Sequence, residues 1–471
     1  MRKSAYVTLS VLIAMTIAAL ITGVAAAQDD FRISRRIDAQ APRVANKYVE
    51  ADQLTADEVK SAVSQYFQWL YSARKDGEVA ASSLRPVTQS PESQSFFDTK
   101  KESLEVADYS NQLYGVKIAE QSFMLDFRSI SVARKGNLAE ALVVESYQRK
   151  YEYTPVHIEG GEIVHKINLR NDRGAWEITD DSPLNANDVA PATADKAAVM
   201  DKIRREAEGR LAAEQQLLYN AGVTPTFLSQ ERKRLAKSKM SAQQAEEQLT
   251  NIVNEKMGTV PAAARDGSAK GAVAMAMNVN RSYNREAAKT YIDKWWNSRN
   301  PAWGNFDKLG GDCTNWMSQI INAGGVPEDK SGSYQWYWDN MNAPRTSSPY
   351  TRSPSWTGVN ELWNYVVGNT ANNGPLGPQG QTWSSSTGLT NMATGDAIQL
   401  NWDGAWRHTY GVHHTQWVNL KPWYCPWCSD NWKYKVYVTS HYANRWQDDL
   451  DSAAANIPTR RYIHITGWYQ P

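Results

Sequence analysis

The 471-residue sequence predicts a multidomain α+β protein, and three observations carry that reading. A helical pattern followed by alternating strand-like segments fills residues 50–182. A stretch rich in Ala, Glu, Lys, Arg and Gln follows at 192–257. Then 17 of the 19 tryptophans crowd between Trp295 and Trp468, a compositional break that marks a further domain.

The chain opens with a basic Arg2–Lys3 pair and a long apolar run, then small residues before "QDD". This reads as a secretory signal, residues 1–27, cleaved after Ala27. The run is about 20 residues, enough to span a bilayer, so a retained N-terminal anchor is the alternative. An exported location, extracellular or associated with the cell wall, follows as an expectation. Lys and Arg number 51 against 50 Asp and Glu, a net charge of +1 that gives no warrant for a nucleic-acid partner. Three cysteines exclude a scaffold built from disulfides.

In the first folded region, 50–182, Thr55 and Glu58 have capping-box spacing, and Val59, Val63, Tyr66 and Leu70 recur at helical intervals. Strands are expected in "LYGVKIA", "FMLDFRSISVAR", "LAEALVVESYQRKYEY", "GEIVHKINLR" and "GAWEITDD", with turns at "KGN", "EGG" and "NDRG". The order, one or two helices and then an antiparallel sheet, resembles the cone-shaped fold of nuclear transport factor-like domains. His157 and His165 read as surface or core histidines. Residues 192–257 read as a connector of two or three helices, with Gly222 as a stop and Pro225 near a start. Residues 258–282 read as a linker.

The segment "GGDCTNWMSQIINAGG" places Cys313 at the start of a helix whose face is Cys313, Trp316, Met317, Ile320 and Ile321. Asp312 is expected to cap it, and Gly324–Gly325 to end it. A thiol there sees the positive end of the helix dipole, which favours thiolate. Cys425 and Cys428, in "CPWC", are expected to pair as a local disulfide; a redox or zinc role lacks a second C-x-x-C. That leaves Cys313 over, and a thiolate nucleophile needs a base. Five of the seven histidines lie in the last third of the chain: His408, His413, His414, His441 and His464. "GDAIQL", "WRHTYGVHHTQWVNL" and "YKVYVTSHYAN" read as successive strands, so a cysteine at a helix start faces histidines on a sheet, the papain-type layout.

Residues 283–471 resemble the family described as a putative amidase domain, related to the NlpC-like and CHAP branches of the papain-like superfamily. The resemblance rests on "YNREAAKTYIDKWWNSRNPAWGNFDKLGGDCTNWMSQIINAGG", "SPSWTGVNELWNY", "GDAIQL" with its histidine strand, and "TSHYANR". It implies a papain-like fold, no cofactor and no metal. It also implies a cysteine-dependent amidase or peptidase acting on cell-wall peptide or peptidoglycan. Cys313 matches the nucleophile, His414 in "HTQWV" the base, and His441 the third, polar position. Because "RHTYGV" offers the same following threonine, His408 is the alternative base. Asp312, Asn315 and Trp316, which flank the nucleophile, are expected to contribute to binding. A catalytically silent wall- or glycan-binding module on the same fold is the rival reading, supported by aromatic clusters such as "WYWDN".

Overall fold

The computed structural model describes residues 48–76, 86, 88–133, 136–154, 156–171, 173–184, 195–258, 281–307, 311–331, 335–339, 352–369, 376–402, 404–420, 430–441 and 443–469. The expected signal segment, most of the expected linker, Gly310, Cys425 and Cys428 lie outside the described residues.

A short strand β1 (Tyr48–Glu50) precedes helices α1 (Gln53–Asp76) and α2 (Pro91–Tyr114). The Asp52 carboxylate accepts the Thr55 N–H at 2.8 Å, so α1 starts before Thr55, and Thr55 lies inside the first turn rather than capping it. The expected apolar face is buried: Val59, Val63, Tyr66 and Leu70 all point inward. Helix α2 has Ser90 as its cap, Pro91 in its first turn, and Gly115 at its end with φ +66°. That ending corrects one expectation. Leu113 and Tyr114 of "LYGVKIA" belong to the last helical turn, and the strand begins only at Ile118. Strands β2 (Ile118–Ala133), β3 (Leu138–Tyr151), β4 (Ile158–Asn171) and β5 (Trp176–Pro183) then form an antiparallel meander.

The connector is three helices, α3 (Lys196–Asn220), α4 (Pro225–Ala236) and α5 (Ala242–Gly258). The tryptophan-rich part contains β6 (Arg281–Ser282), α6 (Arg285–Trp295), α7 (Cys313–Ala323), α8 (Pro354–Thr357) and α9 (Val359–Gly368). It continues through β7 (Gln379–Trp383), β8 (Ala397–Trp402), β9 (Ala405–Asn419), β10 (Trp432–Ser440), β11 (Arg445–Asp449), α10 (Leu450–Ala453) and β12 (Thr459–Trp468).

All strands join one sheet with the order β1-β2-β3-β4-β11-β10-β9-β8-β12-β6, while β5 pairs with β4 and β7 with β12. The two sheet regions meet where Arg445 and Trp446 of β11 pair with Gly160 and Glu159 of β4. Around β8–β10 the sheet is covered on both faces. Tyr410, Val412 and Val438 pack with Leu217, Leu249 and Val253 of the connector helices. The opposite face packs Ala397, Ile463 and Ile465 against Trp316, Ile320 and Leu362 of α7 and α9. Strand β9 runs unbroken through Gly411. A Cβ at Gly411 would lie 2.9 Å from the Ile320 Cδ1 and 3.2 Å from the Thr439 Cγ2. A side chain at this position would press on the tip of Ile320 and the methyl of Thr439, so glycine eases the close seat of α7 on the sheet.

Two buried ionic clusters hold this frame. At the junction Asp451 accepts two hydrogen bonds from Arg210 (2.7 and 2.8 Å) and lies 3.3 Å from Arg460 and 3.4 Å from Lys435. In the N-terminal region His165 is held between Asp181 (2.7 Å) and Glu145 (2.9 Å), while Tyr66 and Tyr71 donate to the same two carboxylates. His157 instead lies on the surface beside Glu120. Burial alone would lower the His165 pKa, but Asp181 and then Glu145 outweigh it and raise it to about 9.

Two stability effects follow. Asp451→Ala leaves three buried cations without their shared anion and is expected to cost ~3–5 kcal/mol in urea denaturation. An unchanged midpoint would show that the network does not hold the fold. Because the folded-state pKa of His165 lies above the unfolded value of about 6.5, its contribution is complete below that pH. It is lost as pH rises through about 9. Wild type should therefore lose more stability between pH 7 and 10 than His165→Gln, whose difference from wild type should shrink across that range.

Candidate active site

Cys313 opens α7, buried, with only 7% of its surface exposed, and its thiol is free. Burial pushes its pKa up. The Thr409 main-chain N–H and the Thr314 hydroxyl and N–H pull the other way, and the Asp312 carboxylate adds to the rise. Cys313 Sγ lies 3.9 Å from the Thr314 Oγ1, which is 3.0 Å from the Thr409 Oγ1 on β9. The donors expected at a helix start are thus present, but desolvation is the larger effect.

Asp312 does not cap α7. Its backbone, φ −104° and ψ 2°, lies outside the extended region that a capping residue uses. Its carboxylate turns away from the helix start. Oδ1 accepts from the Phe306 N–H at 3.0 Å and the Asn315 Nδ2 at 2.8 Å, and Oδ2 lies 2.8 Å from the His441 Nδ1. The Asp312 side chain makes no capping hydrogen bond to the first turn of α7.

His441, just past the end of β10, lies alongside the same helical turn. Its ring stacks on Trp316 at 3.7 Å between centroids, and its Nε2 lies 2.8 Å from the Trp295 carbonyl. The Arg299 guanidinium donates to the His441 carbonyl and is paired with Asp307 at 2.9 Å. Burial lowers the His441 pKa, opposed by the Asp312 hydrogen bond.

The other histidines are placed elsewhere. Thr409 and Gly411 face α7, so by strand alternation His408 faces the connector helices. There its Nε2 lies 3.2 Å from the Ser440 Oγ and its ring meets Tyr410 edge-on. His414 is five residues beyond Thr409, roughly 16 Å along the strand at about 3.3 Å per residue. Its Nδ1 lies 2.8 Å from the His413 Nδ1, its ring stacks on Tyr437, and burial pushes its pKa down to about 3. His413 reaches Asp293 at 2.7 Å, and His464 reaches Asp396 at 2.7 Å.

The structure therefore brings Cys313, Asp312 and His441 to one turn, and it brings neither His414 nor His408 to the thiol. His441 orients no second histidine; its ring nitrogens serve Asp312 and Trp295. Among the described residues no hydrogen bond joins Cys313 to a histidine. The expected binding residues are also corrected. Asp312, Asn315 and Trp316 are buried, and Asn315 spends its amide on Gly304, Asp312 and Trp356. They build the site and are closed to a ligand. Sequence reading missed the Asp312–His441 pair and Arg299, because 129 residues separate the first two and no local pattern couples them. Among the described residues, no group of three or more His, Cys, Asp or Glu side chains could hold a metal ion.

Residues 282–465 match the family model described as "Putative amidase domain". A 45-residue stretch is 49% identical to the uncharacterized protein YhbB of Bacillus subtilis (strain 168), covering 10% of this chain and 14% of that protein. No solved structure matches the chain. The helix bearing Cys313, the sheet behind it and His441 all fall inside the residues that match this "Putative amidase domain" model.

Proposed function

We propose that the protein is an exported amidohydrolase that cleaves amide bonds in cell-wall peptide, with Cys313 as nucleophile and His441, oriented by Asp312, as base. The observation that carries this reading is the 2.8 Å Asp312–His441 contact beside the turn that begins with the thiol. A carboxylate on Nδ1 fixes the tautomer and leaves Nε2 to exchange protons. In the structure Nε2 is turned to the Trp295 carbonyl, so the ring must leave that acceptor to serve sulfur. With its one proton on Nδ1 toward Asp312, the neutral ring takes the Sγ proton at the bare Nε2, and the thiolate attacks the amide carbonyl. First-turn N–H groups of α7 stabilise the oxyanion. The imidazolium protonates the leaving amine, and the neutral ring then activates water to release the acyl group. The wall-peptide substrate is supported by the family match and by the signal-like N-terminus.

The silent-module reading has one observation of its own: the thiol is buried with a raised pKa, and both His441 nitrogens are occupied.

Alkylation of the full chain, read by peptide mass spectrometry across pH 5–9, separates the two. For an active site, Cys313 labels well below its free-thiol value of about 8.5. The acid limb is expected below the ordinary imidazole value of about 6.5, because burial lowers the His441 pKa. His441→Ala and Asp312→Asn should slow labelling at pH 7 by about tenfold or more, and His414→Ala and His408→Ala by less than about twofold. Loss in His414→Ala instead would return the base to β9. Slow labelling, equal in every variant, would support the silent module.

A further inference from the structure

Five arginines are buried among the described residues, and four of them, Arg149, Arg210, Arg445 and Arg460, pair with Asp448 or Asp451. Arg461 on β12, the fifth, is just as deep at 6% exposure and forms no ion pair among the described residues. The Glu361 carboxylate acts on it only from a distance, and folds back against Gly358 at the start of α9. Arg461 Nε donates to the Gln399 side chain at 2.6 Å, and Nη2 to the Val359 carbonyl and the Asn360 Oδ1 at 3.3 and 3.1 Å. Nη1 has no partner among the described residues and is not sealed from solvent. The Trp363 ring of α9 and the Trp406 ring of β9 flank the guanidinium, 4.4 and 4.1 Å from its Cζ. Both tryptophans are half-buried and Asn360 is exposed, so the slot opens at the surface. Burial pushes the Arg461 pKa down to about 9, against the pull of Glu361.

A charge this deep is ordinarily met by a counter-ion. The fold leaves one guanidinium nitrogen, with both its N–H bonds, open to receive one. Those bonds lie in the guanidinium plane, with indole rings beside it. A flat carboxylate fits that plane, whereas a tetrahedral phosphate drives oxygens out of it against the rings. We infer that Arg461, Trp363 and Trp406 form a site for a carboxylate carried by a peptide. The peptide follows from where the slot lies. Arg461, Gln399 and Thr409 stand opposite one another on β12, β8 and β9. Gln399 Nε2 donates to the Thr409 Oγ1 at 3.3 Å, and Thr409 meets Thr314, the neighbour of Cys313, at 3.0 Å. The slot and the thiol thus share one face of the sheet. Two strand spacings, about 10 Å, separate Arg461 from Thr409, a span of about three residues of extended peptide. The inference deepens the amide-hydrolysis reading by naming a negative group that the substrate carries a short way from the scissile bond. It rests on that reading only for the peptide's being a substrate.

The test uses full-length Cys313→Ala protein, so that turnover plays no part, with calorimetric titration as the readout. N-acetyl-Ala-Ala, whose terminal carboxylate is free, should bind about tenfold more tightly than N-acetyl-Ala-Ala-amide, roughly 1.4 kcal/mol. Arg461→Gln should erase that preference. Asn360→Asp should erase it too, because it keeps the acceptor for Nη2 and sets a carboxylate of the chain's own beside the guanidinium. This second variant removes no contact, so it decides the matter if Arg461→Gln fails to fold. Equal or undetectable binding of the two peptides, or a preference unaltered in Asn360→Asp, would overturn the inference. So would displacement of the acid peptide by inorganic phosphate at lower concentration than by acetate. Acid-selective binding by a protein that hydrolyses no amide would overturn the catalytic reading and leave the carboxylate site standing.

Discussion

Three acidic residues at the end of β11 and the start of α10, Asp448, Asp449 and Asp451, hold the molecule together. Asp448 accepts from the Tyr147 and Tyr151 hydroxyls of β3 and pairs with Arg445. Asp449 accepts from Tyr153 and lies 3.3 Å from Lys435, and Asp451 gathers Arg210, Arg460 and Lys435. All three carboxylates are buried. Charges so deep are tolerable only with their counter-ions and hydroxyls in place, so the network is met as a set or not at all. Its members come from the N-terminal sheet, the connector helix α3 and the C-terminal strands. Burying these side chains therefore requires the three regions of the sequence to dock together.

That constraint reaches the candidate site through the backbone. Strand β10 ends at Ser440, His441 follows, and the chain turns within a few residues into β11, which is pinned by Asp448 and by its ladder to β4. Arg299 then ties the His441 carbonyl to Asp307 and Asn444. The position of one imidazole thus depends on contacts with a region distant in sequence. This gives the N-terminal region a physical role: it supplies the strand against which the His441 turn is set.

Around Cys313 the same economy of polar groups governs. One carboxylate, Asp312, organises the preceding loop, the first turn and the histidine, so the neighbours of Cys313 are fixed by a single buried anion. The raised thiol pKa follows from that burial. What would lower it is an imidazolium beside the sulfur, and Trp295 holds the nearest imidazole back.

Local pattern determined much of this protein by itself. The Val59–Leu70 stripe, the strands from Phe123 to Asp181, the three connector helices and the helix opening at Cys313 are set by side-chain period and by glycine and proline stops, which act within a few residues. The motif around Gly311–Asp312–Cys313 likewise carried the amidase family. Tertiary structure alone decided which histidine meets the thiol's turn. His408, His414 and His441 all lie on or beside strands near valine or threonine, and sequence does not say which face each takes. The close seat of α7 on Gly411 sets Thr409 toward the helix, and that turns His408 away and leaves His414 far along the strand. The junction closes over Asp448, Asp449 and Asp451, whose buried charges need partners from all three regions, and the turn after β10 brings His441 to Asp312.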